Sequence, residues 1–216
     1  MNIGNKDLII ELLQVGPIAT NCYVVTNVKD KATMIVDPGG SYQKIKDYVD
    51  KITAEVGSKV QLIVDTHGHW DHVYCNADAK RDFPEAKLYI HKADEHLLAE
   101  DNTKMVRSIV PSKADAYLEE GMTLKLGSLE MPVFHTPGHT EGGVCILLAN
   151  KYFLVGDTIF KGSIGRTDLP GGSFHDIINS IKTKIMPMDD SLYLLPGHGP
   201  TTTVGYERAN NMFLQD

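Results

Sequence analysis

Four apolar runs in this chain deliver glycine and metal-ligand side chains at their C-terminal ends, and that recurrence limits what the chain can fold into. Val60-Gln61-Leu62-Ile63-Val64 leads into His67-Gly68-His69-Trp70-Asp71-His72, where three imidazoles and a carboxylate crowd into six residues. Three later segments repeat the order: Val133-Phe134-His135-Thr136-Pro137-Gly138 ends in His139, Phe153-Leu154-Val155-Gly156 in Asp157, and Leu194-Leu195-Pro196-Gly197 in His198. Short apolar runs closed by turn residues read as strands, so four strand ends can converge on one edge. Glycine there lets the backbone turn sharply beside a crowded site. One histidine in a turn is an ordinary surface residue, whereas this density of donors points to a metal. Imidazole with carboxylate suits zinc, iron or manganese, whereas a structural zinc or an iron–sulfur cluster would be richer in thiolate. The pool of five histidines and two aspartates suits two ions, each with about three protein ligands, sharing one aspartate and a bridging hydroxide.

The rest of the chain supplies layers around that edge. Leu8–Leu13, Tyr23–Val25, Ala32–Val36 and Lys87–Ile90 are further short apolar runs, punctuated by Gly16-Pro17 and Asp37-Pro38-Gly39-Gly40. The second half continues with strands over Leu129–His135, Val144–Ala149, Tyr152–Val155 and Leu192–Leu195. Ile45, Tyr48, Val49, Ile52 and Val56 recur at steps of three and four, which predicts an amphipathic helix with Ser41 as N-cap and Gly57 as its stop. Phe174, Ile177, Ile178, Ile181 and Ile185 predict a second such helix. Helices are also expected over Val73–Asp82 and Lys92–Ala99, and Asp101–Val110 reads as helix or loop before Pro111. Residues 91–121 are the least patterned stretch and the place for a lid or substrate wall. His91 and His96 fall there without the strand-plus-glycine context of a ligand. One-faced helices beside strand runs imply two packed sheets with helices outside both.

A chain of 216 residues is expected to form a single domain over 1–216. Its 42% hydrophobic and 23% charged content is that of a soluble globular protein, and no stretch approaches the roughly 20 apolar residues of a membrane span. No secretory signal is visible at the N-terminus, so the expected location is cytoplasmic, with no membrane partner. Cys22, Cys75 and Cys145 are odd in number and lack CxxC spacing, and read as packed thiols. A net charge of -7 disfavours nucleic acid as a partner.

With these motifs in view, the chain resembles the metallo-β-lactamase fold superfamily: HGHWDH matches its HxHxDH signature, and PGHT, GDTIF and PGHG its later ligand motifs. Val15-Gly16-Pro17, Asn21-Cys22-Tyr23, Asp37-Pro38-Gly39-Gly40, the Gly165–Gly172 segment and Glu207-Arg208 with Asn211 are similar to the short, glyoxalase II-like branch. The resemblance implies an α/β, four-layer αββα sandwich of two mixed sheets with the site at the edge between them. It implies His67, His69 and His139 on a first metal, Asp71, His72 and His198 on a second, and Asp157 bridging, with zinc ahead of iron or manganese. Asp71 and Asp157 are then the catalytic carboxylates, while His135 and His175 stay outside the set.

The implied function is a metal-dependent thioester hydrolase with a small-molecule substrate. A thiol pKa of about 8.5 lets the thiolate leave with little help from an acid. Three departures qualify the match to glyoxalase II. A C-terminal helical extension that grips glutathione is not expected after Glu207-Arg208. Arg166 stands where a glutathione-contacting lysine is usual and Asp168 where a tyrosine is, so Arg166 becomes the candidate for a substrate carboxylate, against a purely structural pairing with Asp168. Tyr74-Cys75 replaces the usual small residues and is expected to narrow the pocket. The main rival is a persulfide dioxygenase with one iron at His67, His139 and Asp157. A flavodiiron enzyme would carry glutamate at His69, and a non-catalytic metal-binding protein would not need all seven ligands.

Overall fold

In the computed structural model, which describes residues 2–101, 103–105 and 109–215, period-two alternation sorts each strand's side chains between an inner and an outer layer. The first sheet runs in the order β1 (Leu8–Val15), β2 (Thr20–Asn27), β3 (Ala32–Val36), β4 (Lys59–Val64), β5 (Lys87–His91) and β6 (Ala116–Leu118). Its first three strands are antiparallel and the rest parallel. The second half contributes β7 (Thr123–Leu126), β8 (Leu129–His135), β9 (Val144–Leu148), β10 (Tyr152–Gly156), a hairpin of β11 (Ile159–Phe160) and β12 (Ser163–Ile164), β13 (Tyr193–Pro196) and β14 (Thr202–Thr203). The second sheet has the order β14, β13, β10, β9, β8, β7 and is also mixed, since only β10 and β13 pair in parallel.

Met34, Val36, Leu62 and Val64 face inward and meet Met131, Val133, Ile146, Leu154 and Leu195 of the opposite sheet. Their neighbours Ile35 and Ile63 face outward. Helix α1 (Tyr42–Val56) covers Ile35 with Ile45 and Val49. The helix beginning at Phe174 covers Phe153, Val155 and Leu194 with Ile177, Ile181 and Ile185. Each such isoleucine, fully buried, contributes about 1.5–3 kcal/mol. The result is the expected αββα sandwich.

Local differences have local causes. Ser41 precedes α1 in the left-handed region (φ 47°) and makes no side-chain cap; its hydroxyl instead accepts the Gly16 N–H at 3.1 Å. Gly57 does end α1, at φ 73°, its N–H donating to Thr53 O. The helix expected over Val73–Asp82 is split into α2 (Trp70–Val73) and α3 (Asn76–Asp82), and Lys92–Leu98 is a 3₁₀ helix. The helix from Phe174 is α-helical to Ser180 (α4) and then widens over Ile181–Ile185 to i→i+5 bonding, with Phe174 left exposed. Short strands β6, β7, β11, β12 and β14 and helix α5 (Val204–Asn210) had too few apolar positions to be read. Of the Asp101–Val110 expectation, residues 102 and 106–108 lie outside the described set. No helix among the described residues is long and apolar enough to cross a membrane.

Candidate metal centre

The loop after β4 turns His67 and His69 inward, and α2 then carries Asp71 and His72 over the same point within one turn, its first bond running from His72 N–H to His69 O at 2.9 Å. Loops after β8, β10 and β13 bring His139, Asp157 and His198 to meet them. Donor atoms fall into three groups, each within 4.8 Å: His67, His69 and His139; His67, His72 and Asp157; and Asp71, His72 and His198. All seven sequence candidates therefore belong to one cluster. His69 Nδ1 faces His139 Nε2 at 2.8 Å, and His198 Nε2 lies 3.1 Å from Asp71 Oδ2 and 3.3 Å from His72 Nε2. Asp157 sits between: Oδ1 is 3.5 Å from His72 Nε2, and Oδ2 is 3.5 Å from His139 Nε2 and 3.6 Å from His198 Nε2.

The donor set fits divalent metal. His67 Nε2 and Asp157 Oδ1 are buried without a hydrogen-bond partner, and an unsatisfied buried polar group costs about 1–3 kcal/mol, which a cation would offset. Neighbours also leave the right nitrogens free. His72 Nδ1–H donates to Asp37 Oδ2 at 3.0 Å and His139 Nδ1–H to the Arg166 carbonyl at 2.8 Å, so both Nε2 lone pairs face the cluster. Burial holds His67 well below the usual imidazole range and brings His69 and His139 to about 4, the neutral form a metal needs. Burial also pulls His72 down, but Asp71, Asp157 and Asp37 outweigh it and raise it. Burial lifts the Asp157 carboxyl against the pull of His72 and His198. For Asp71 burial acts in the same direction, yet His72 and His198 dominate and lower it.

Gly197 shows why glycine precedes His198, since an added Cβ would strike Asp157 Oδ1 and come within 2.6 Å of His72 Cε1. Above the cluster a cleft of about 250 Å³ is walled by Ile18, Trp70, Met105, Phe160 and Leu169, with Arg166 on its rim. Thr103 and Met105 come from the stretch expected to form a substrate wall and do line this cleft. Tyr74 and Cys75 do not narrow it; they line a neighbouring groove of about 650 Å³ on the other side of Trp70.

Arg166 is held by Asp168 through two bonds, Nε to Oδ1 at 2.8 Å and Nη2 to Oδ2 at 2.9 Å, while still reaching the cleft rim. His91 and His135 lie outside the cluster, stacked on each other at 4.1 Å. His96 bonds the Ala93 carbonyl, His175 is an exposed partner of Asp176, and the three cysteines are free and buried. Sequence reading missed Asp37, Thr66 and Thr20. Asp37 is buried in the left-handed region (φ 52°), and Thr66 links it to His67: Thr66 Oγ1 donates to Asp37 Oδ2 at 2.7 Å and lies 3.2 Å from His67 Nδ1. Thr20 Oγ1 donates to Asp71 Oδ2 at 3.0 Å. The only signal for Asp37 was its Asp-Pro-Gly-Gly turn at the end of a strand parallel to β4.

The sandwich and its edge cluster define an αββα protein built to bind divalent metal. The metallo-β-lactamase superfamily model matches residues 15–198, and the chain belongs to that superfamily. It is 33% identical over 212 residues to the hydroxyacylglutathione hydrolase GloC of Haemophilus influenzae, covering 95% of this chain and 97% of that one. The crystal structure of BLEG-1, a B3 metallo-beta-lactamase, superposes with TM-score 0.89 at 33% identity over 96% of this chain and 100% of the other. That of TTHA1623 in a di-iron-bound form does so with TM-score 0.79 at 29% identity over 94% and 100%.

Proposed function

We propose that this protein is a binuclear metal-dependent thioester hydrolase of glyoxalase II type. The observation that carries the reading is the complete cluster, with Asp157 turned toward both halves and donor atoms left without partners. His67, His69 and His139 would hold one ion and Asp71, His72 and His198 the other, with Asp157 between. Bound there, such ions would supply a water of near-neutral pKa and polarisation of a substrate carbonyl.

The protein's own groups do the rest. Asp37 and the Arg166 carbonyl keep the Nδ1 protons of His72 and His139 pointed away from the cluster. Asp71, steadied by Thr20 and held as its anion, is placed to orient the attacking water. The apolar walls at Ile18, Trp70 and Phe160 exclude bulk water and seat an uncharged acyl chain. Water adds at the thioester carbon, the C–S bond breaks, and a carboxylic acid and a thiol result. Among the described residues of the cleft no carboxyl or imidazole stands apart from the ligand set, which favours a leaving group that departs as its anion. The hydroxyacylglutathione hydrolase name of the GloC relative supports the same substrate class. Zinc is our choice of ion, with iron next, and we read the chain as one cytoplasmic domain acting on a small molecule.

The likeness to BLEG-1 favours a second reading, β-lactam hydrolysis. An amide nitrogen leaves less readily than a thiolate, so thioesters are expected to be cleaved faster. Parallel assays of a thioester panel and a chromogenic cephalosporin, each before and after chelation, separate the two. Chelator-sensitive thioester turnover with slower lactam turnover supports the proposal; efficient lactam cleavage with inert thioesters favours the second reading.

A further inference from the structure

The 3₁₀ helix Lys92–Leu98 carries a buried carboxylate that the reaction does not use. Asp94 is 1% exposed. Its Oδ2 accepts the Gly68 N–H at 2.9 Å and its Oδ1 the Gly142 N–H at 2.7 Å. Gly68 lies between His67 and His69, and Gly142 lies in the loop that carries His139. One carboxylate thus ties the loop ending β4 of the first sheet to the loop leaving β8 of the second. The packing leaves no room for a substitute. A Cβ on Gly68 would stand 2.7 Å from Leu97 Cβ, and one on Gly142 would stand 2.6 Å from Asp94 Cγ.

A second tie runs beside the first. His91 caps the same helix, accepting the Ala93 N–H at 3.2 Å, and stacks on His135 with an interplanar angle of 7°. His135 Nε2–H in turn donates to the Glu141 carbonyl at 2.9 Å. The helix therefore grips the His139 loop on both sides of the histidine. Asp71 and His72 hang on other supports, Thr20 and Asp37, and neither runs through Asp94.

We propose that Asp94 is the positioning residue for the trio His67, His69 and His139, fixing the separation of the two loops that supply it, and that its loss takes this trio apart while sparing Asp71, His72 and His198. The proposal rests on the two-metal reading. Charge-assisted bonds to backbone N–H groups are roughly twice as strong as neutral ones, and losing an outer partner of a metal ligand typically costs about 10–100-fold in affinity.

The test is Asp94→Asn, which keeps the shape but turns one acceptor oxygen into an NH₂ facing an N–H. Metal-stripped wild type and variant are titrated with Co²⁺, following visible absorption and bound equivalents, and both stripped proteins are melted. The expected result is two tight equivalents in wild type, one in the variant with the other weakened about 10–100-fold, and similar melting of the stripped forms. In a His139→Ala background, where the trio is already broken, Asp94→Asn should weaken Co²⁺ binding no further. Unchanged affinity for both ions, equal weakening of both, or a variant that does not fold would each overturn the proposal. If wild type takes up one ion only, the two-metal reading fails on its own. The Asp94 assignment then still requires that Asp94→Asn weaken that ion at least tenfold, and is overturned if it does not.

Discussion

Asp37 Oδ2 lies 3.0 Å from His72 Nδ1, a carboxylate and an imidazole both withdrawn from solvent, and this bond fixes which nitrogen of His72 faces the cluster. The same oxygen accepts the Thr66 hydroxyl, which neighbours His67, so one carboxylate orients imidazoles on both sides of the site. Asp37→Ala should weaken metal binding about 10–100-fold and lower turnover with it, as read by chelator competition. Equal affinity in wild type and variant would mean that packing alone holds His72.

Gly197 approaches Asp157 and His72 too closely for a side chain. Gly197→Ala should therefore displace the Asp157 carboxylate and cut kcat/KM by about 100-fold or more, equivalent to roughly 2.7 kcal/mol of transition-state stabilisation. Thermal melting of the metal-stripped protein should move little. A fully active Gly197→Ala enzyme would show that the loop yields and that Asp157 need not sit where it does.

Much of this site was legible beforehand because a metal demands several donors, and several donors at strand ends leave a pattern. Each of the seven donor residues that cluster here was marked by its place after an apolar run. Asp37, Asp94 and Thr66 were not, because a lone carboxylate or hydroxyl in a turn looks the same in sequence whether it is solvated or buried against backbone N–H groups. The central strands were readable because both faces are covered, giving continuous apolar runs such as Ala32–Val36. β6 and β14, of three and two residues, carry too little pattern for that. Ser41 misled for a related reason: its hydroxyl serves the Gly16 turn rather than the helix it precedes.

Arg166 is gripped bidentately by Asp168 yet stands at the cleft rim. A substrate carboxylate must compete with Asp168 for the guanidinium fork. Asp168→Asn should lower KM for anionic thioesters and Arg166→Ala should raise it, each with little change in kcat and little effect on neutral thioesters. Equal impairment of charged and neutral substrates in Arg166→Ala would assign the pair to loop structure alone.

Burial, then the neighbouring His135 ring, brings His91 down to about 4. Its unfolded-state value is near 6.5, so between these two pH values the unfolded chain binds the extra proton and folding weakens as pH falls. The contribution is complete above about pH 6.5 and is lost toward pH 4; discounted for partial exposure, it amounts to roughly 1–2 kcal/mol. Denaturant midpoints of wild type and His91→Gln, measured across that window, should converge toward the acid end. Parallel curves would remove His91 from the acid sensitivity.

Hydrolysis at a two-metal cluster is separated from one-iron oxygen chemistry by the rate of thiol release from a thioester with and without oxygen. Asp71, His72 and His198 form a second trio that a one-iron oxygenase has no use for. Metal-loaded protein should cleave thioester at the same rate under air and under strict anaerobiosis, and lose that activity on chelation. Oxygen uptake driven by a persulfide, with no thiol released from any thioester, would make the protein a one-iron dioxygenase instead.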